Sequence, residues 1–295
     1  MKINNNHNSS IEDIILSKDQ RKISAVRQYL PDNYCSEAAM FLEQNLGTIL
    51  IVTGFTIKSF MRGETDGPIG AVALGQTIKL MGGEPIYISD GHNCDILKTL
   101  TNNEDTIVDF PVTDHHNSES FAQKLLEDLT PSLLVSIERV GFNKNRSYFN
   151  RFGESIDSIS AKTDYLFMHH QSTIGIGDGG NEIGMGLVPL TFLEEMLPIN
   201  PSITPTNALI IAGTSNWGSY GLITALSVRQ GMNLLPSSAQ ENQWLRQIVE
   251  TNGAVDSFTS GSTQTVDGYK PQELNFILNK LHSIVNDSLS SNSEI

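Results

Sequence analysis

Two short segments combine acids, amides and glycines at spacings that suit a compact polar site. The first is Gly63-Glu64-Thr65-Asp66-Gly67-Pro68-Ile69-Gly70-Ala71, which puts two carboxyls and a hydroxyl at the entrance to a helix-like run. The second, Gly175-Ile176-Gly177-Asp178-Gly179-Gly180-Asn181-Glu182-Ile183-Gly184-Met185-Gly186, carries six glycines in twelve residues. Each glycine costs roughly 0.5–1 kcal/mol of ordering relative to alanine, so this density marks a specially shaped loop. A helix beginning at Gly179 or Gly180 would put Asp178 and Glu182 on one face, with Asn181 beside them. Paired carboxylates with an amide are hard-ligand chemistry suited to Mg²⁺ or Mn²⁺, or a general base with its orienting partner.

The same letters also fit structural roles. Thr65 or Asp66 can cap a helix whose first turn holds Pro68, and acids near a helix N-terminus are favourable in their own right. Gly175, Gly177 and Gly180 spell GxGxxG, with Glu194 and Glu195 14–15 residues beyond Gly180, but the preceding HHQSTI is a poor strand and prolines soon follow. With no GxxxxGK[ST] either, a nucleotide is not expected. His115-His116 and His169-His170 are adjacent pairs, which point to opposite faces in a strand. CxxC and HExxH are absent, which disfavours zinc. GxSxG is replaced at Gly213 by GTSNWG, where Thr214, Ser215 and Asn216 can still donate to a carboxylate or phosphate.

Short apolar runs alternate with helical spacing. Strands are expected at 49–52, 85–89, 106–110, 133–137 and 207–211, with helices over 68–80, 95–100, 118–129, 218–230, 240–251 and 272–285. This alternation predicts an α/β fold of three layers, a mostly parallel sheet with helices on both faces and right-handed crossovers. Residues 1–46 read as an N-terminal helical segment packed on the main domain, with helices over 11–30 and 36–46, the second capped by Ser36. Residues 47–287 form the α/β catalytic domain, and 288–295 a disordered tail. Ligands of open parallel sheets sit beyond the carboxyl ends of the strands, which singles out Thr53-Gly54, Asp90-Gly91-His92, Glu138-Arg139 and Gly213–Asn216.

The 295 residues hold 19 basic against 33 acidic side chains, a formal net charge of −14, which disfavours nucleic acid and anionic membranes as partners. Apolar residues make up 39% and charged ones 18%, in the range of folded globular chains. Two cysteines, Cys35 and Cys94, are too few for a disulfide framework. The asparagine-rich first ten residues lack the apolar core of a signal peptide. No run approaches the ~18 apolar residues of a membrane span, so a cytoplasmic location is expected.

The segments VTGF at 52–55, ETDGPIGA at 64–71, SIERVG at 136–141 and GIGDGGNEIGMG at 175–186 resemble the bacterial and mitochondrial D-glutamate cyclase family. The resemblance runs from about Leu46 to the tail helices. It implies an α/β domain that converts D-glutamate to 5-oxo-D-proline with loss of water, a lyase acting on a small acidic amino acid.

In that reaction the α-amine attacks the γ-carboxyl carbon. The ammonium must lose a proton, and the carboxylate is a poor electrophile. Asp178 or Glu182 could accept the proton, with Asp66 and Glu138 as the other catalytic acids. All four could hold a Mg²⁺ or Mn²⁺ ion. Substrate binding is expected from Arg139, which can grip a carboxylate by two bonds, and from Thr65, Gly177, Gly179, Gly180, Asn181, Thr214, Ser215 and Asn216. Lys58, Arg62 and Arg151 are further basic candidates. A metal-free site built on backbone amides and hydroxyls is the alternative. A non-catalytic sensor of an acidic metabolite, or a related lactam-forming or lactam-hydrolysing enzyme, would use the same crevice, and a homo-oligomer is compatible with the sequence.

Overall fold

A computed structural model describes residues 9–196, 200–259 and 261–292. The chain begins with α1 (Ile11–Ile15), a 3-10 helix over Ile23–Tyr29 and α2 (Tyr34–Gln44). It continues through β1 (Thr48–Thr53), a small hairpin of β2 (Thr56–Ile57) and β3 (Arg62–Gly63), α3 (Pro68–Leu80), β4 (Glu84–Ser89), α4 (Gly91–Leu100), β5 (Ile107–Asp109) and α5 (His115–Leu129). The second half contains β6 (Leu133–Ile137), α6 (Asp164–His169), β7 (Thr173–Gly177), α7 (Leu190–Met196), β8 (Ala208–Ile211), α8 (Ser215–Gln230), α9 (Ser238–Asn252) and α10 (Pro271–Asn292).

The main sheet has the order β5-β4-β1-β6-β7-β8, and every pairing in it is parallel. The chain works outward from β1 on one side, then returns to add β6 on the other. This is the doubly wound order, whose switch point falls between β1 and β6. Both faces are covered, so successive strand residues alternate between two cores. Ile49, Ile51, Leu133, Val135 and Ile137 face the helices α1, α2, α3, α8, α9 and α10. Leu50, Val52, Ile86, Ile88 and Leu134 face α5 and α6. The three-layer expectation holds.

Helix α8 occupies the middle of the larger layer, and every residue from Ser215 to Ser227 is buried. Its small residues make this feasible: a Cβ on Gly218 would come within 2.5 Å of the Ile176 side chain, and one on Gly221 within 2.9 Å of Ile15. Trp217 is wholly enclosed and lies against Tyr269 at 4.9 Å between ring centroids.

The expected helix over 11–30 is broken. The Asp19 carboxylate accepts the amides of Ile23 and Ser24 at 2.8 and 2.9 Å, and Lys22 is left-handed with φ 61°. Side-chain capture of backbone amides competes with helix propagation, and it leaves residues 16–22 as a loop directed at the sheet edge. The second helix starts after Asn33, so Ser36 lies inside it. Helix α10 continues to Asn292, past the expected start of a disordered tail at 288; residues 293–295 lie outside those described. No described helix is long and apolar enough to cross a membrane.

Candidate active site

The switch point is where the predicted acids converge. Glu138 follows β6 with a left-handed φ of 49°, Asp178 follows β7, and Ser215 opens α8 directly after β8. Asp66 lies between the hairpin and α3. Gly67, at φ 95°, brings that turn against the Glu138 side chain; a Cβ there would sit 2.7 Å from the Cβ of Glu138. Carboxylate oxygens of Asp66, Asp178 and Asp267 lie within 4.8 Å of one another, as do those of Glu138, Asp178 and Glu182. None of these five acids is more than 3% exposed.

Such crowding demands positive charge, and Arg21 supplies it. Its Nη1 donates to Asp178 Oδ1 at 2.9 Å, and its Nη2 to both carboxylate oxygens of Asp267 at 2.9 and 3.0 Å. Burial by itself would lower the Arg21 pKa; Asp178 and Asp267 more than offset this and hold the guanidinium cationic. Neither Arg21 nor Asp267 was expected from the sequence. Arg21 lies in a segment with helical spacing, and the Asp267-Gly268 pair signals only a turn.

The acids respond to burial in the opposite sense. Burial, then the neighbouring Glu182 and Asp66, pushes Glu138 well above the carboxylate range. Asp178 is also raised by burial, against the pull of Arg21. Asp66 is raised to about 7 by burial and Asp267, although the amides of Asn216 and Ser215 oppose the shift. Glu64 reaches about 8 for the same first two reasons. Such shifts concentrate where acid–base chemistry is carried out. Asp178 Oδ2, Glu64 Oε1, Thr53 Oγ1 and Arg21 Nε are buried without a hydrogen-bond partner among the described residues, unusual for buried polar atoms.

Other expected site residues have structural partners. Arg139 is buried, and four of its five N–H donors are taken: Nε by Thr163, Nη1 by Gly54 O, Nη2 by Asp90 at 2.6 Å and by Ala161 O. It therefore ties together the loops behind Glu138, and its expected grip on a substrate carboxylate is not what this arrangement provides. No helix begins at Gly179 or Gly180. The segment instead folds back beside residues 139–141, through the Val140–Glu182 bridge, and the Glu182 carboxylate accepts the amides of Gly179 at 2.7 Å and Gly180 at 2.6 Å. Those amides are occupied internally and do not face an oxyanion. Gly177 pairs within β7–β8, and Asn181 Nδ2 donates to Phe149 O. Thr65 Oγ1 donates to Thr265 O, and Thr214 Oγ1 caps α8 by accepting from Trp217 N. Ser215 Oγ donates to Glu138 Oε2. Asp66 accepts from the amides of Ser215 and Asn216, while Asn216 Oδ1 accepts from those of Gly67 and Gly70.

A cleft of about 230 Å³ meets the acid cluster at Glu64 and Glu138; Asp66, Asp178, Glu182 and Asp267 do not line it. It is smaller than the ~300–1,000 Å³ of drug-sized sites, which suits a small metabolite. Arg21, Glu64, Glu138 and Asn181 contribute to its wall, with Arg151 and Phe55. Phe60, 42% exposed, and Phe152, 67% exposed, also line it and mark its solvent side. The clustered carboxylates could hold a divalent cation, and an all-oxygen donor set suits Mg²⁺ or Mn²⁺. Asp178 belongs to both candidate trios. In one, Arg21 bonds two of the three acids; in the other, the Glu182 oxygens accept loop amides.

A family model described as D-glutamate cyclase-like, C-terminal, matches residues 11–282. That span contains Arg21, Asp66, Glu138, Asp178, Glu182 and Asp267. Human mitochondrial D-glutamate cyclase is 30% identical to the chain over 224 residues, 68% of this chain. The chain covers about a third of that protein, 35% of its length. With a match reaching from the first helix into the last, the chain belongs to the D-glutamate cyclase-like family.

Proposed function

We propose that this chain catalyses the intramolecular dehydration of D-glutamate to 5-oxo-D-proline, acting as a hydro-lyase. The observation that carries the reading is the cluster of buried acids around Arg21, which reaches the wall of a small cleft through Arg21, Glu64 and Glu138. Membership of the D-glutamate cyclase-like family supports D-glutamate as the substrate.

The reaction forms a bond from the α-nitrogen to the γ-carboxyl carbon and breaks one carbon–oxygen bond. Two protons leave nitrogen, and both depart with the oxygen as water. A curled substrate held in a small cleft has the amine close to the carboxyl, and five-membered ring closure exploits that proximity. Asp178 is the base: its Oδ1 is held by Arg21, while Oδ2 has no hydrogen-bond partner among the described residues and can take the ammonium proton from beside Glu138, which lines the cleft. Burial strengthens it for this role. Glu138 is the acid: it lines the cleft, and burial with its neighbouring carboxyls favours its protonated form, which can donate to the leaving oxygen. Their oxygens lie within 4.8 Å, a span that one water can bridge for proton return.

Arg21 provides the charge compensation that the crowded acids and an anionic substrate require. A Mg²⁺ or Mn²⁺ ion at Glu138, Asp178 and Glu182 would add polarisation of the γ-carboxyl. Arg21, already paired with Asp178 and Asp267, is the cation given the compensating role in the proposal.

Proton NMR of the purified protein with D-glutamate, L-glutamate and 5-oxo-D-proline tests the proposal. Appearance of 5-oxo-D-proline from D-glutamate is expected. Saturable binding of D-glutamate with no product after long incubation would replace the enzyme reading with a metabolite sensor.

A further inference from the structure

Three basic side chains line the cleft, and they differ in what holds them. Arg21 is paired with Asp178 and Asp267, and Lys58 Nζ donates to Ser155 O at 2.9 Å. Arg151 is half-buried, yet no carboxylate, carbonyl or hydroxyl bonds its guanidinium among the described residues. Its contacts are aromatic: Cζ stands 3.9 Å from the ring centroid of Phe258 and 4.9 Å from that of Phe152. Arg21 stacks on the same Phe258 ring at 5.2 Å. Two guanidinium groups therefore share one ring, and one of them has its charge open to the cleft.

Stacking of this kind holds the guanidinium plane while leaving its edge, the face that binds carboxylates by two parallel bonds, free. Burial and repulsion from Arg21 lower the Arg151 pKa, against weaker attraction from Asp267, Glu64 and Asp256. A bound anion would relieve this repulsion. Resting on the D-glutamate reading, we infer that Arg151 is the specificity residue that binds the substrate's α-carboxylate, the carboxylate that is not consumed.

The choice between the two carboxylates follows from differential binding. A full ion pair on the reacting γ-carboxylate would be lost as that group becomes a neutral amide, so it would stabilise the ground state. On the α-carboxylate the same ion pair persists from substrate to product. The placement agrees: Arg151 neighbours the exposed Phe152, whereas Glu138 and Asp178 are almost completely buried. In this orientation the γ-carboxyl enters first, towards the acids that process it.

The experiment compares Arg151→Ala and Arg151→Lys with the parent protein. For Arg151→Ala, KM for D-glutamate and the inhibition constant of 5-oxo-D-proline should each rise about 10–100-fold, with kcat falling far less. Arg151→Lys should recover part of the loss. Weak inhibition by 2-pyrrolidinone, the same ring without a carboxylate, should be equal in all three proteins. Unchanged KM and unchanged 5-oxo-D-proline inhibition in Arg151→Ala would overturn the assignment, as would an equal loss for 2-pyrrolidinone. Calorimetry with glutarate separates this inference from the reaction. If the parent turns over no D-glutamate but binds glutarate in an Arg151-dependent way, the carboxylate site stands and the reaction falls. If the parent binds none of these carboxylates, the site falls too.

Discussion

Asp66 and Asn216 cap each other's helices. The Asp66 carboxylate accepts the amides of Ser215 and Asn216 at 2.8 and 2.9 Å, closing the N-terminus of α8. The Asn216 Oδ1 accepts the amides of Gly67 and Gly70 at 3.0 and 2.8 Å, closing the N-terminus of α3. Helix N-termini carry unbonded amides and partial positive charge, so each residue answers the other helix's need and the two loops are locked at the switch point. Asn216→Ala removes the acceptor for two buried amides and should cost about 1–3 kcal/mol in urea unfolding. Asn216→Asp should cost more, because it adds a carboxylate next to Asp66. Parent-like stability for Asn216→Ala would mean that another acceptor serves α3.

Arg21 carries a second prediction. Its removal leaves Asp178 and Asp267 uncompensated in a buried site, and breaking such a pair typically costs about 3–5 kcal/mol. Arg21→Ala should therefore be strongly destabilised and inactive. Adding Asp267→Asn should restore part of the stability, because it removes one of the stranded charges. A double-mutant cycle by chemical denaturation measures this coupling; additive effects would show that Arg21 and Asp267 do not depend on one another.

The titration of the buried acids sets the direction of pH dependence. Glu64 is raised from 4.5 to about 8 and Asp66 from 3.8 to about 7. Glu241 is raised from 4.5 to about 7 by burial, with the neighbouring Tyr220 hydroxyl opposing the shift. Between about pH 4 and 8 the folded protein thus holds protons that the unfolded chain has released, and stability falls as pH rises through this window. Each such proton contributes roughly 1.4 kcal/mol per pH unit. The urea midpoint should be lower at pH 8 than at pH 5.5; the reverse order would show that these acids are ionised in the folded state at both values.

Asp178→Asn should reduce turnover of D-glutamate by about 10²–10⁴-fold, the usual contribution of a positioned base. The side chain keeps its shape and sheds a buried charge, so a folded protein by circular dichroism is expected. Retained turnover would remove Asp178 from the mechanism.

Exhaustive chelation should leave turnover unchanged, since the proposed compensating cation is Arg21. Loss of activity in chelator, restored by Mg²⁺ or Mn²⁺, would transfer that role to an ion held by Glu138, Asp178 and Glu182.

The sequence by itself was enough to place most of the framework. Greasy runs such as 49–52 and 133–137 specify buried parallel strands because both of their faces need cover. Once the strands are parallel, their carboxyl ends share one edge, so Glu138, Asp178 and the loop carrying Asp66 had to meet there. Side-chain direction and long-range charge pairing were decided only in three dimensions. Arg139 follows Glu138 in sequence, but it is drawn behind the site by Asp90, 49 positions away. Glu182 is turned onto the amides of its own loop, an outcome that depends on whether the glycines continue as helix or fold back. Arg21 reaches the acids because Asp19 breaks the helix that the spacing favoured, and its partner Asp267 lies 246 positions along the chain. Hydrophobic patterning is periodic and can be read locally; the meeting of a single guanidinium with two distant carboxylates leaves no local period, and only the folded chain specifies it.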